Sequence, residues 1–339
     1  MQTTEKKINH IALCRTDAIG DCIMTLPMCG ILKERFPQSK LSFIASSYTE
    51  DIIKSDTDVD EFINYTTLTS LTENEQIEFL KKKNIDVIIF VFPNKHLAKI
   101  SKKAKIPCRI ATSHRPYNWL YCNKLVNFSR KKSNLNEAQL NTKLLKPLGT
   151  EEDFSMAKLT DYLHIRLNHT QFEAKTLLKP DKINVILHPK SRGSAREWPK
   201  EYYQKLIELL DGRFRIFICG TPKEMEGISF KGDNVISLVG KMSLKEYIEF
   251  ISLSDFLVAC STGPLHIAAI TGIHAVGLYP PMKNINPQRW HPLGKNVKVF
   301  SYDNPTCIDC KKSSPCHCML KLEPTQVAEY ICKTAFKQK

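Results

Sequence analysis

The sequence predicts an α/β protein of two open domains, each a doubly wound parallel sheet with helices on both faces. Short, uniformly apolar runs alternate with longer amphipathic ones almost from end to end. A run that is apolar throughout, such as 87–92, suits a parallel strand buried on both faces. The rhythm weakens between about 155 and 182 and then restarts, and 339 residues exceed what one core of about 100–200 residues needs.

Taken in order, strands are expected over 8–14, 40–45, 61–65 and 85–92, with helices over 21–36 and 72–82 between them. The second series places strands at 183–188, 214–219, 235–238, 255–260 and 275–279, and helices at 199–210, 243–252 and 263–271. Pro324 suits the first turn of a last helix over 325–336. Pro27 should kink the first helix, because it removes a backbone donor. Domains are therefore expected over 1–165 and 182–323, with ligands beyond the carboxyl ends of the strands.

An apolar fraction of 42% and a charged fraction of 25% are those of a globular protein, which excludes a disordered chain. Neither a leader nor a run of about 18 apolar residues is evident, so a cytoplasmic protein is expected. The net charge of +14 points to nucleic acid, an anionic membrane surface or acidic small molecules. The Lys runs at 81–83, 102–105 and 130–132 lack the interleaved aromatics of a single-strand platform. Solvated helix ends are one reading of them, and a basic face toward phosphorylated lipid is the other. Most of the twelve cysteines are scattered singly through apolar segments, as reduced thiols would be.

Three stretches carry candidate chemistry. The first strand runs into Arg15-Thr-Asp-Ala-Ile-Gly-Asp21, where Gly20 permits close backbone approach and Asp21 falls at a helix start. A carboxylate there is either a general base or a simple N-cap. His188-Pro-Lys-Ser-Arg-Gly-Ser-Ala-Arg-Glu-Trp-Pro199 brings Lys190, Arg192 and Arg196 onto a loop, bearing Ser191 and Gly193, before a helix, suited to phosphate or merely solvated. Cys260-Ser-Thr-Gly-Pro-Leu-His266 ends a buried strand, turns, and starts a helix whose free N–H groups form a ready pyrophosphate site. His266 in its first turn is either a phosphate partner or a satisfied buried histidine. The G-x-G-x-x-G fingerprint is absent, which weighs against a dehydrogenase.

These stretches, with Leu26-Pro27, Arg196-Glu-Trp-Pro199, Gly220-Thr-Pro-Lys-Glu224, Ser261-Thr-Gly-Pro-Leu-His266-Ile-Ala-Ala269 and Cys307…Cys310 with Cys318-Met319, occur in an order and spacing that resembles the heptosyltransferase family. That family, glycosyltransferase family 9, builds the inner core of bacterial lipopolysaccharide. The resemblance spans almost the whole chain. It implies the GT-B fold, two Rossmann-like domains with a cleft between them, and a last helix, 324–339, returning to the first domain. It implies an inverting glycosyltransferase that requires no metal or other cofactor, with ADP-heptose as donor and a lipopolysaccharide core or related anionic glycolipid as acceptor. Peripheral contact with the inner face of the inner membrane is expected, and no nucleic acid. Asp21 would be the catalytic base. Lys190, Ser191, Arg196, Glu224, Ser261, Thr262, Gly263 and His266 would surround the donor, with Glu224 at the nucleoside. Arg15 is expected on the acceptor; His114 and Arg115, before the aromatic stretch to Tyr121, are read either as receiving the acceptor's anionic groups or as part of a surface helix with an aromatic inner face. Many family members have Asp where this chain has Ser261, which puts the donor sugar's identity in question.

Two further signals are discounted. Asp56-Thr-Asp58 has the form of a metal-holding D-x-D, but Asp is common in such polar connections. Cys307, Cys310, Cys316 and Cys318 could be zinc ligands, although the C-x-C half is tighter than most structural sites. A non-catalytic nucleotide-sugar or nucleic-acid binding module on the same fold is the rival function, since fold alone does not fix activity.

Overall fold

The structure, a computed structural model, describes residues 7–150, 153–303 and 316–336. The chain divides into two compact units, residues 1–166 and 167–339. Each holds one six-stranded sheet whose strand pairings are all parallel.

In the first unit the strands are β1 (His10–Cys14), β2 (Lys40–Ala45), β3 (Glu61–Asn64), β4 (Val87–Phe90), β5 (Cys108–Thr112) and β6 (Lys124–Val126), in the order β3-β2-β1-β4-β5-β6. In the second they are β7 (Ile183–His188), β8 (Phe214–Ile218), β9 (Val235–Ser237), β10 (Phe256–Cys260), β11 (His274–Tyr279) and β12 (Val297–Ser301), in the order β9-β8-β7-β10-β11-β12. Both are the doubly wound 3-2-1-4-5-6 order, so the expected fold class holds. The switch points lie between β1 and β4 and between β7 and β10. All five residues of β1 and of β10 are buried, as strands covered on both faces require.

The sequence reading missed β5, β6 and β12. β5 carries Arg109 among apolar residues, β6 is three residues long, and β12 interrupts its apolar run with Lys298. Edge and near-edge strands are half solvated, so they lack the continuous apolar signature. The helix expected over 21–36 is two helices, Ile19–Ile23 and Pro27–Arg35. Pro27 breaks the run rather than kinking it and then starts the second helix, where its missing N–H has no partner to lose.

The last helix is Pro324–Ala335, and on its buried face Val327, Ala328 and Ile331 join Leu206 and Ile207 of helix Lys200–Leu209 in the second unit's core. The indole N–H of Trp198 donates to the Leu322 carbonyl at 2.9 Å and the Tyr202 hydroxyl to the Leu320 carbonyl at 3.1 Å. Burying side chains the size of Val327 and Ile331 contributes about 1.5–3 kcal/mol each, enough to hold so short a helix in place.

Candidate active-site groups in each unit

In the first unit, Cys14 pairs with Ile44 of β2 and Phe90 of β4, so the loops after these three strands leave the sheet side by side. Arg15 emerges there but turns inward. Its side chain is 2% exposed, with Nε donating to Asp17 at 2.7 Å and Nη1 to Glu137 at 3.0 Å and Asn141 at 3.3 Å. Its Nη2 donates to Asp21. Arg130 closes the cluster, donating from Nε to Glu137 at 3.1 Å and from Nη2 to Asn141 and the Val91 carbonyl, both at 2.9 Å. Burial alone would lower the affinity of Arg15 for its proton, but Asp17, Asp21 and Glu137 raise it, so the guanidinium stays charged. Four of its five N–H groups are thus spent within the cluster, and the Nη2 bond sets it beside Asp21.

Asp21 sits in the first turn of helix Ile19–Ile23, where no side-chain cap bond forms at the N-cap residue Ala18. The simple N-cap reading of Asp21 does not describe its place. Its side chain remains 20% exposed. Burial pushes its pKa up to about 6 against the pull of Arg15, with Asp17 and Glu137 adding to the rise. A carboxylate with that affinity is mostly ionised at neutral pH yet basic enough to accept a proton in general-base catalysis. His114 and Arg115 are exposed beyond the end of β5, two strands or roughly 10 Å across the sheet from β1.

In the second unit, register again sets the site. Ala259 of β10 pairs with His188 of β7, and Leu187 with Ile218 of β8. The segments starting at Pro189, Ser261 and Cys219 thus leave adjacent strand ends about 4.8 Å apart. After β10, helix Gly263–Ile270 begins with Pro at its first turn, and its N-cap residue Thr262 makes no side-chain cap bond. Thr262 Oγ1 and His266 Nδ1 are both buried without a hydrogen-bond partner. Leaving two such atoms unsatisfied costs about 1–3 kcal/mol each, which a ligand at this helix end would recover. Burial, with His291 nearby, lowers the His266 pKa to about 4, so the ring is neutral and can donate or accept. Ser261 lies beside the buried Tyr279, whose hydroxyl also reaches the Trp290 carbonyl at 2.7 Å.

The loop after β7 is organised by a residue the sequence reading passed over. Glu197 accepts from the Ser191 N–H and hydroxyl, each at 2.9 Å, and pairs with the Lys190 ammonium. The chain between them turns through Arg192 and Gly193 with φ of 50° and 76°, a left-handed pair that glycine eases. Lys190, Arg196 and Glu197 line a pocket of about 450 Å³ with Phe230 and Cys316. Ser191 itself is buried, so its part is to shape the loop. Glu224 accepts from Thr221 and lies 3.4 Å from Arg192. Burial works to raise its pKa, but the Thr221 hydrogen bonds and Arg192 outweigh it, so Glu224 stays ionised. The structure thus gathers Lys190, Ser191 and Arg196 on one loop, Ser261 to His266 on the adjacent strand end, and Glu224 on the third. Because Glu197 holds Lys190 and the Ser191 N–H and hydroxyl, Glu197→Gln should destabilise the second unit by about 1 kcal/mol, read as a fall in Tm.

Among the discounted signals, Asp56 is buried and accepts from the Asp58 N–H, while Asp58 pairs with His164 at 2.7 Å. These contacts tie the α/β connection to residues near 165. Cys316 and Cys318 are buried in the second unit's core. The expectation of a zinc site also rests on Cys307 and Cys310, which lie outside the described residues.

Two doubly wound sheets of this order, with free polar groups at their switch points, make a GT-B glycosyltransferase fold. Residues 76–320 match glycosyltransferase family 9 (heptosyltransferase), and the chain belongs to that family. A family 9 glycosyl transferase from Veillonella parvula superposes with a TM-score of 0.79 at 18% identity, covering 98% of this chain and 99% of that one. The ADP-heptose lps heptosyltransferase II of E. coli gives 0.77 at 17%, with the same coverage. By sequence, the lipopolysaccharide core heptosyltransferase OpsX of Haemophilus influenzae is 20% identical over 86% of this chain and 84% of its own length.

Proposed function

We propose that this glycosyltransferase moves a heptose from ADP-heptose onto a lipopolysaccharide core or related anionic glycolipid, with inversion and without a metal ion. The observation that carries the reading is the pair of unsatisfied buried atoms, Thr262 Oγ1 and His266 Nδ1, at a helix N-terminus beside β7. Such a helix end favours a diphosphate through its free N–H groups and dipole. The donor named for the E. coli structure supports ADP-heptose here, as does family membership.

In a single displacement the acceptor oxygen bonds to the anomeric carbon as the bond from that carbon to the diphosphate oxygen breaks. The electron pair leaves with ADP, whose growing charge the helix N-terminus and the cations Lys190 and Arg196 would stabilise without a divalent ion. Asp21 would take the acceptor hydroxyl's proton. Glu224 would contact the nucleoside, Ser261 the donor sugar, and His114 with Arg115 the acceptor's anionic groups. Work at the inner membrane face follows from the acceptor's chemistry.

A thermal-shift series tests the donor assignment. ADP should raise Tm in proportion to the logarithm of its excess, while GDP, UDP, CDP and NAD should not, and EDTA should change nothing. A shift with NAD alone would return the chain to dehydrogenase chemistry. A shift abolished by EDTA would remove the metal-independent reading.

A further inference from the structure

Between residues 87 and 136 the sequence holds eleven Lys and Arg and neither Asp nor Glu. This acid-free stretch builds β4, β5 and β6 with their connections, so most of the +14 excess lies on one flank of the first unit's sheet. In its middle, Trp119 and Leu120 are 67% and 63% exposed, more than any other large apolar residue described. The indole N–H donates to the Ser113 carbonyl at 2.9 Å, which fixes the ring in its outward position. Helix Lys95–Lys103 packs beside helix Pro116–Tyr121, and the Lys102 ammonium bonds the Leu120 carbonyl at 2.8 Å. Lys95, Lys102, Arg115 and Lys124 are all exposed on this flank. Glu73 of the neighbouring helix Glu73–Lys82 is neutralised by Lys99 at 2.8 Å and by Lys103.

We infer that this flank is the surface on which the protein docks to an anionic lipid bilayer, with Trp119 and Leu120 entering the headgroup layer and the surrounding cations meeting lipid phosphates. The inference rests on the glycolipid-acceptor reading above and names the surface that serves it. Exposed aromatic and apolar tips ringed by cations are the chemistry of interfacial binding, in which neither component alone is strong. An aromatic ring with its polar edge satisfied sits well at the level of the headgroups. Residues His114 and Arg115, beside the tip, would then face the same layer that carries the acceptor.

The test is flotation of the full chain with phosphatidylcholine vesicles, with and without phosphatidylglycerol. Binding should need the anionic lipid and weaken steeply as salt rises from about 0.05 M to about 0.5 M. The double variant Lys95→Gln/Lys124→Gln should lose about fivefold in partitioning per lysine. Trp119→Ser/Leu120→Ser should lose about tenfold, and with it most quenching of tryptophan emission by brominated lipid. Equal partitioning onto neutral vesicles, or unchanged binding by Trp119→Ser/Leu120→Ser with a native circular-dichroism spectrum, would overturn the inference. So would tighter binding of an oligonucleotide than of the vesicles, lost in the same variants. ADP stabilisation of each variant reports on the donor site separately, so loss of that signal alone counts against the transferase reading and not against docking.

Discussion

Asp21→Asn is expected to cut turnover by about 10²–10⁴-fold, the usual contribution of a positioned general base, while leaving ADP affinity within about twofold. The amide keeps the shape and can still accept from Arg15, so the buried cluster loses one charge and no volume. The cluster of Arg15, Arg130, Asp17, Asp21 and Glu137 has an excess of one negative charge when all are ionised, which is part of why Asp21 holds its proton up to about pH 6. The sign of the pH dependence follows. The base must be ionised to work, so kcat/KM should be flat above that value and fall tenfold per unit below it. A profile without an acid limb near 6, or an asparagine variant that still turns over, would remove Asp21 from the role.

Arg15→Met should be the most destabilising single change in the first unit. It leaves Asp17, Asp21 and Glu137 facing one another with one cation, Arg130, in place of two. Removing one partner from a buried ionic cluster costs about 3–5 kcal/mol, and a fall in Tm of roughly 10 °C is expected. If the variant folds at low temperature, its acid limb should move to higher pH, since the cation that lowers the Asp21 pKa is gone. A merely structural arginine would lower Tm without moving the limb. Arg15→Lys should fall between, because an ammonium supplies the charge but not the fork that reaches four side chains.

Why the sequence disclosed one half of the candidate site better than the other has a physical basis. The donor-side groups are local: a strand, a turn and a helix start follow each other within Cys260 to His266, and spacing alone shows the helix end. The base-side cluster is assembled from residues far apart, with Arg15 and Glu137 separated by 122 positions. Nothing in the neighbourhood of Glu137, a helix start with Asn136 as cap, marks it as a buried partner. Likewise nothing beside Arg15 in the sequence shows that its side chain turns inward to Asp17, Asp21 and Glu137. Glu197 was missed for a related reason, since it sits between two cations that drew attention and its bonds run back to Ser191. For the fold, the central strands announce themselves by uniform burial, whereas β6 and β12 at the edges do not. The final helix is legible from Pro324 in its first turn, whereas the cover that helix Lys200–Leu209 gives its apolar face is not written in any local pattern.

The most direct test of heptose transfer from ADP-heptose is to follow the donor by ¹H and ³¹P NMR in the presence of deacylated core oligosaccharides and EDTA. The expected result is equimolar ADP and a new glycoside of inverted anomeric configuration, formed by the parent chain and not by Asp21→Asn. A product of retained configuration, transfer that stops when EDTA is added, or donor that stays intact across the oligosaccharides while ADP binds, would contradict it.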